Sequence, residues 1–112
     1  MTLSTHVLDT ARGSPAKGIP VILSAEGPDG WSELARGTTD GDGRIASLSP
    51  AGAPAVPGTT LRLRFELDGY FAGQGVPAFY PCVDIVFTLQ DTGHHHVPLL
   101  ISPFGYSTYR GS

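Results

Sequence analysis

At 112 residues, with 7 Lys and Arg against 10 Asp and Glu and a formal net charge of −3, the chain has material for one core and no basic stripe for a nucleic-acid backbone. Charged residues are 15% of the chain, against roughly 25% in an average domain, so part of its surface is expected to be buried between subunits; a weakly charged Ser/Thr surface is the alternative. No apolar run approaches the roughly 18 residues of a membrane span, no basic leader opens the chain, and a lone Cys82 excludes an internal disulfide framework, which together predict one soluble, unexported, cytoplasmic domain over 1–112.

Fifteen glycines and ten prolines fall between short apolar segments, the punctuation of an all-β domain. The first predicted strand, Thr2 to Leu8, puts Ser4, His6 and Leu8 on one face and Leu3, Thr5 and Val7 on the other. Ile19 to Ala25 and Trp31 to Thr38 follow, joined through Pro28-Asp29-Gly30. Asp40-Gly41-Asp42-Gly43 reads as a hairpin turn into a strand Arg44 to Leu48; Arg44 and Ile45 stand where a calcium loop would continue its acidic ligands. Ser49 to Gly58 is expected to be an irregular loop. Thr60 to Leu67 alternates Leu61, Leu63, Phe65 and Leu67 with Arg62, Arg64 and Glu66, the clearest half-buried strand in the chain. Asp68 to Gln74 has room for one helical turn, and its two glycines argue against more. Val83 to Leu89, His95 to Ser102 and Tyr106 to Tyr109 complete eight strands, enough for two packed sheets.

By strand parity His94, His96, Pro98 and Leu100 point one way, while Val97, Leu99 and Ile101 form the better core face. The histidines therefore lie on an outward face poor in charge, which suits an interface or a pocket better than open solvent. His6 also reads as a plain surface histidine, and Ser107 and Tyr109, which share a face, as a fraying end. Two histidines at i and i+2 on a strand can ligate zinc, but the chain supplies no third and fourth ligand: Cys82 sits at a proline-flanked turn and no acidic residue repeats the spacing. No metal or cofactor is expected. Histidine, largely neutral near pH 7, fits better as a general base.

Three stretches then carry a family resemblance: Leu3-Ser4-Thr5-His6-Val7-Leu8-Asp9-Thr10, Gly13-Ser14-Pro15-Ala16-Lys17-Gly18, and the ending Tyr106-Ser107-Thr108-Tyr109-Arg110-Gly111-Ser112. With Asp42-Gly43-Arg44 and His94-His95-His96-Val97-Pro98-Leu99-Leu100, the chain resembles the 5-hydroxyisourate hydrolases, transthyretin-like enzymes of urate breakdown, over nearly its whole length. The resemblance implies a transthyretin-like sandwich of two four-stranded antiparallel sheets with one short helix. It also implies a homotetramer, a dimer of dimers, around a channel that holds the sites where pairs of subunits meet. Carried over by position, the catalytic residues are His6, Arg44 and His96, with Ser107, Tyr109, Arg110, Leu8 and Pro98 on the substrate side. The family often has Tyr where this chain has His95, a position parity turns away from the site. Hormone-carrying transthyretins lack these histidines and the Tyr-Arg-Gly-Ser ending, so the resemblance favours a cofactor-free hydrolase of 5-hydroxyisourate over a channel protein that only binds an aromatic ligand, or an adhesive sandwich with incidental histidines.

Overall fold

The computed structural model describes residues 1–48 and 56–112. Among the described residues nine strands and one short helix run in the order β1 (Thr2–Asp9), β2 (Ser14–Pro15), β3 (Pro20–Gly27), β4 (Gly30–Thr38), β5 (Arg44–Ile45), β6 (Thr60–Glu66), α1 (Asp68–Ala72), β7 (Cys82–Thr88), β8 (His94–Ser102) and β9 (Gly105–Thr108). All eight expected strands are present with ends shifted by a few residues. The fourth of them, β5, stops at Ile45 instead of Leu48, β2 is additional, and Cys82 opens β7 rather than sitting in a turn. Of the loop expected over Ser49 to Gly58, residues 49–55 lie outside the described residues.

One sheet has the order β4-β3-β6-β7 and is antiparallel throughout. The other has the order β2-β1-β8-β9, with β5 paired to β1 beside β2. This corrects the expectation of two antiparallel four-stranded sheets, because β1 and β8 run parallel from Thr2↔His94 to Asp9↔Ile101. Parallel neighbours need a long crossover between them. Here the whole other sheet intervenes in the chain, so the pairing could not be read from local turns.

Alternation decides what fills the space between the sheets. Leu3 and Val7 of β1, Val21 and Leu23 of β3, Leu61, Leu63 and Phe65 of β6, Val83 and Ile85 of β7, and Val97, Leu99 and Ile101 of β8 all turn inward and are buried. Each such side chain contributes on the order of 1.5–3 kcal/mol through removal from water. The outward residues of β6 find partners across the surface. Arg64 makes a two-point ion pair with Asp84 of β7, at 2.7 and 2.8 Å, and Arg62 lies 4.5 Å above the Trp31 ring.

The helix closes one end of the sandwich. Phe71 enters the core, while the Tyr70 hydroxyl donates at 2.8 Å to the carboxylate of Asp9, which is only 2% exposed. The other oxygen of Asp9 accepts from the backbone N–H groups of Ala11 and Arg12, both at 3.1 Å. A buried carboxylate that loses a donor leaves a lone pair without compensation. Tyr70→Phe is therefore expected to destabilise the fold by about 1.5–3 kcal/mol, read as a lower urea midpoint with unchanged slope.

Candidate active site

The outer face of the β2-β1-β8-β9 sheet gathers the chemistry-bearing side chains. Parallel register puts Ser4 opposite His96, Thr2 opposite His94 and His6 opposite Pro98, all on the solvent side of the sheet. The short strand β5 adds Arg44, paired to His6. Ser4, Arg44, His94, His96 and Ser112, with parts of Thr5, Ile45 and Ala46, line a shallow depression of about 330 Å³. His6 stands beside it.

The turn before β5 fixes where Arg44 can go. One carboxylate oxygen of Asp40 accepts from the backbone N–H groups of Asp42 and Arg44 at 2.9 and 3.0 Å, and these bonds, that from Arg44 foremost, hold its carboxyl below the usual carboxylate range. Gly43 adopts φ +73°, and its N–H donates to the Asp40 carbonyl while its own carbonyl accepts from Val7. A Cβ at this position would lie 2.4 Å from the Val7 carbonyl oxygen. Gly43→Ala is expected to cost about 1–3 kcal/mol from backbone strain alone, with the clash adding to it. Chemical denaturation reads the loss; stability equal to the parent would show that the turn re-forms without glycine.

His6 is held by the same turn. Its Nε2 lies 2.9 Å from the Asp42 carbonyl oxygen, which can only accept, so Nε2 carries a proton and a neutral ring has its lone pair on Nδ1. His96 is half-buried, with Nδ1 2.7 Å from the Ser4 hydroxyl. The same hydroxyl lies 2.9 Å from His94 Nε2, and His94 Nδ1 lies 2.6 Å from the Thr2 hydroxyl. Burial lowers the His96 pKa below that of an ordinary imidazole, and the positive charge of Arg44, with His6 and His94, pushes the same way. The chain closes over this ring: the Gly111 N–H donates to the His96 carbonyl at 2.8 Å, and a Cβ on Gly111 would sit 2.4 Å from His96 Cδ2.

The remaining expected residues fall less centrally. Leu8, half-buried, and Pro98, buried, share the outer face but do not line the depression, and Ser107 is exposed on β9 opposite Leu100. Tyr109 and Arg110, expected on the substrate side, instead border a separate cavity of about 410 Å³ between the free edges of β7 and β9. The physical reason is that β9 ends at Thr108, so parity does not carry past it. His95 faces inward as parity required. It is 3% exposed, with Nδ1–H donating to Gly93 at 3.2 Å and Nε2 without a partner. Sequence reasoning missed Thr2, Ser4 and Ser112 as neighbours of the site and weighed His94 only as a metal ligand. Parity had already put Ser4 and His94 on the right faces, and the β1·β8 register was the missing signal. Among the described residues no group of three or more His, Cys, Asp or Glu is arranged to hold a metal ion, and both nitrogens of His94 face hydroxyls.

A neutral imidazole beside a guanidinium can take a proton from water while the cation offsets charge on an oxygen. Two sheets in this order, closed by one short helix and carrying such a cluster on an outer face, define a transthyretin-like sandwich. The chain belongs to the HIUase/Transthyretin family, whose model matches residues 3–111. It is 45% identical over 111 residues to the 5-hydroxyisourate hydrolase of Salmonella dublin, covering 98% of this chain and 80% of that protein. Among solved structures it is similar to 5-hydroxyisourate hydrolase from Klebsiella pneumoniae, with 42% identity, a TM-score of 0.84 and full coverage of both chains. Sea bream transthyretin in complex with thyroxine is 31% identical with a TM-score of 0.87, over 97% of this chain and 93% of that one.

Proposed function

We propose that this chain hydrolyses 5-hydroxyisourate to 2-oxo-4-hydroxy-4-carboxy-5-ureidoimidazoline in urate breakdown, by addition of water to an acyl carbon bonded to ring nitrogen. The observation that carries the proposal is the convergence of His6, Arg44, His94 and His96 on one outer sheet face, where burial and Arg44 lower the His96 pKa. The hydrolases among its relatives support the substrate.

In the mechanism, His96 accepts the proton of the attacking water through Nε2, the nitrogen that Ser4 leaves free, and returns a proton to the departing ring nitrogen. His6, whose Nδ1 lone pair is exposed by its bond to Asp42, orients the water or shares the base role. Arg44 holds the oxygen-rich, acidic substrate and offsets charge developing on the carbonyl oxygen. Ser107, Leu8 and Pro98, on the same outer face, complete the substrate side, and Tyr109 and Arg110, at the other cavity, take no step in the scheme. Direct attack by water needs no covalent serine intermediate, and no cofactor enters the scheme.

The assembly that suits this site is a homotetramer, a dimer of dimers, in which outer faces meet across a channel. Free edges at β7 and β9, with Val86 and Tyr106 about half-exposed, support pairing of subunits there. No helix among the described residues is long and apolar enough to cross a membrane, and we assign the protein to the cytoplasm as one domain over 1–112. The test generates 5-hydroxyisourate in situ with urate oxidase and follows its ultraviolet decay. Decay well above the buffer rate supports the hydrolase, whereas folded tetramer that leaves the buffer rate unchanged favours a ligand-binding protein like sea bream transthyretin.

A further inference from the structure

We propose that Thr2, His94 and Ser4 form a proton wire ending on His96, which lets His96 act first as base and then as acid without holding a net charge. The inference rests on the hydrolase reading and adds three positioning residues to it. Its basis is a continuous line of hydrogen bonds across β1 and β8: Thr2 Oγ1 to His94 Nδ1 at 2.6 Å, His94 Nε2 to Ser4 Oγ at 2.9 Å, and Ser4 Oγ to His96 Nδ1 at 2.7 Å. Parallel register builds the line, since Thr2 lies opposite His94 and Ser4 opposite His96 on one face. Its outer members, Thr2 and His94, are exposed, and its inner end is the half-buried His96.

Each neutral histidine has one N–H and each hydroxyl one O–H, so two unbroken head-to-tail arrangements can relay a proton along the line without charge. In the first, His96 Nδ1–H donates to Ser4, Ser4 to His94 Nε2, His94 Nδ1–H to Thr2, and Thr2 to solvent, leaving a lone pair on His96 Nε2. When water's O–H bond breaks and its proton joins Nε2, each proton in the line moves one place outward and Thr2 gives one to solvent. The second arrangement results, with His96 holding Nε2–H. As the C–N bond breaks, that proton passes to the departing nitrogen, each bond reverses, and Thr2 takes one proton back. The balance closes: one proton leaves and one returns, water's oxygen stays on the acyl carbon, and the line is restored. A lasting imidazolium at His96 would face Arg44 from β5, His6 from β1 and His94 from its own strand, and the wire avoids it.

Ser4→Ala cuts the line at its centre, Thr2→Val removes its solvent end, and Ser4→Thr keeps the hydroxyl. Expected are falls in kcat of about tenfold or more for Ser4→Ala and Thr2→Val with KM changed less than about twofold, and near-parental kcat for Ser4→Thr. In mixtures of light and heavy water the parental kcat should vary along a curve, from several protons in motion, and that of Ser4→Ala along a straight line. Imidazole nitrogen chemical shifts of the free protein should show the tautomers of His94 and His96 changing together with pH in the parent and independently in Ser4→Ala, a readout that requires no activity. Parental kcat in Ser4→Ala, equal losses in Ser4→Ala and Ser4→Thr, or unlinked tautomers in the parent would each overturn the wire. A parent that leaves substrate decay at the buffer rate overturns the hydrolase reading instead, and the tautomer measurement then still reports whether the four groups are coupled.

Discussion

Replacing His96 with alanine is expected to lower kcat/KM for 5-hydroxyisourate by about 10²–10⁴-fold, the usual contribution of a positioned histidine acting as acid and base. The fold should survive. His96 projects from the outer face of β8, while the core side of that strand is built from Val97, Leu99 and Ile101. Truncation therefore opens no cavity between the sheets, and the urea midpoint should move by less than about 1 kcal/mol equivalent. Activity loss with an unchanged midpoint separates chemistry from unfolding; a rate within about threefold of the parent would remove His96 from the proposed mechanism.

Arg44→Gln is expected to reduce kcat/KM by about 10²–10³-fold, the scale for losing one stabiliser of a developing oxyanion. It should also move the acid limb of the pH profile. The active form of His96 is the neutral one, so activity falls as pH drops through its pKa, which burial and then Arg44 hold below the ordinary imidazole value of 6.5. Removing the cation eliminates one cause and leaves the burial, so the limb should rise toward 6.5 without reaching it. The residual activity of Arg44→Gln, profiled from acid to neutral pH, reads this shift directly. A limb that stayed in place or moved to lower pH would mean that a group other than His96 controls it.

Much of the architecture was legible because period-two alternation is strong. Leu61, Leu63 and Phe65 against Arg62, Arg64 and Glu66 left little choice of face, and the same held for Ser4 and His6 and for His94 and His96. Faces are a local property. Which strands lie side by side is not, and so the parallel pairing of β1 with β8 and the Thr2, Ser4 and His94 line it builds were invisible to parity. The ending misled for a related reason: alternation extended to Tyr109 presumes a strand that in fact stops at Thr108, before Gly111 returns to bond His96. The turn at Asp40 to Gly43 was read as a hairpin, whereas it carries the chain from β4 of one sheet to β5 of the other, and its service to His6 and Arg44 depends on backbone directions that residue types do not encode.

The β1·β8 pairing also sets the order in which the molecule can become active. Ser4 and His96 are separated by 92 positions in the chain, so closing that contact carries the loop entropy of nearly the entire polypeptide. The antiparallel β3·β4 hairpin, closed between Gly27 and Gly30, carries almost none. Topologies dominated by such distant pairings fold slowly, and here the distant pairing and the chemistry occupy the same two strands. A nascent chain on the ribosome, or one truncated within β8, can therefore hold hairpins but no reaction centre. Turnover thus reports completion of the fold itself.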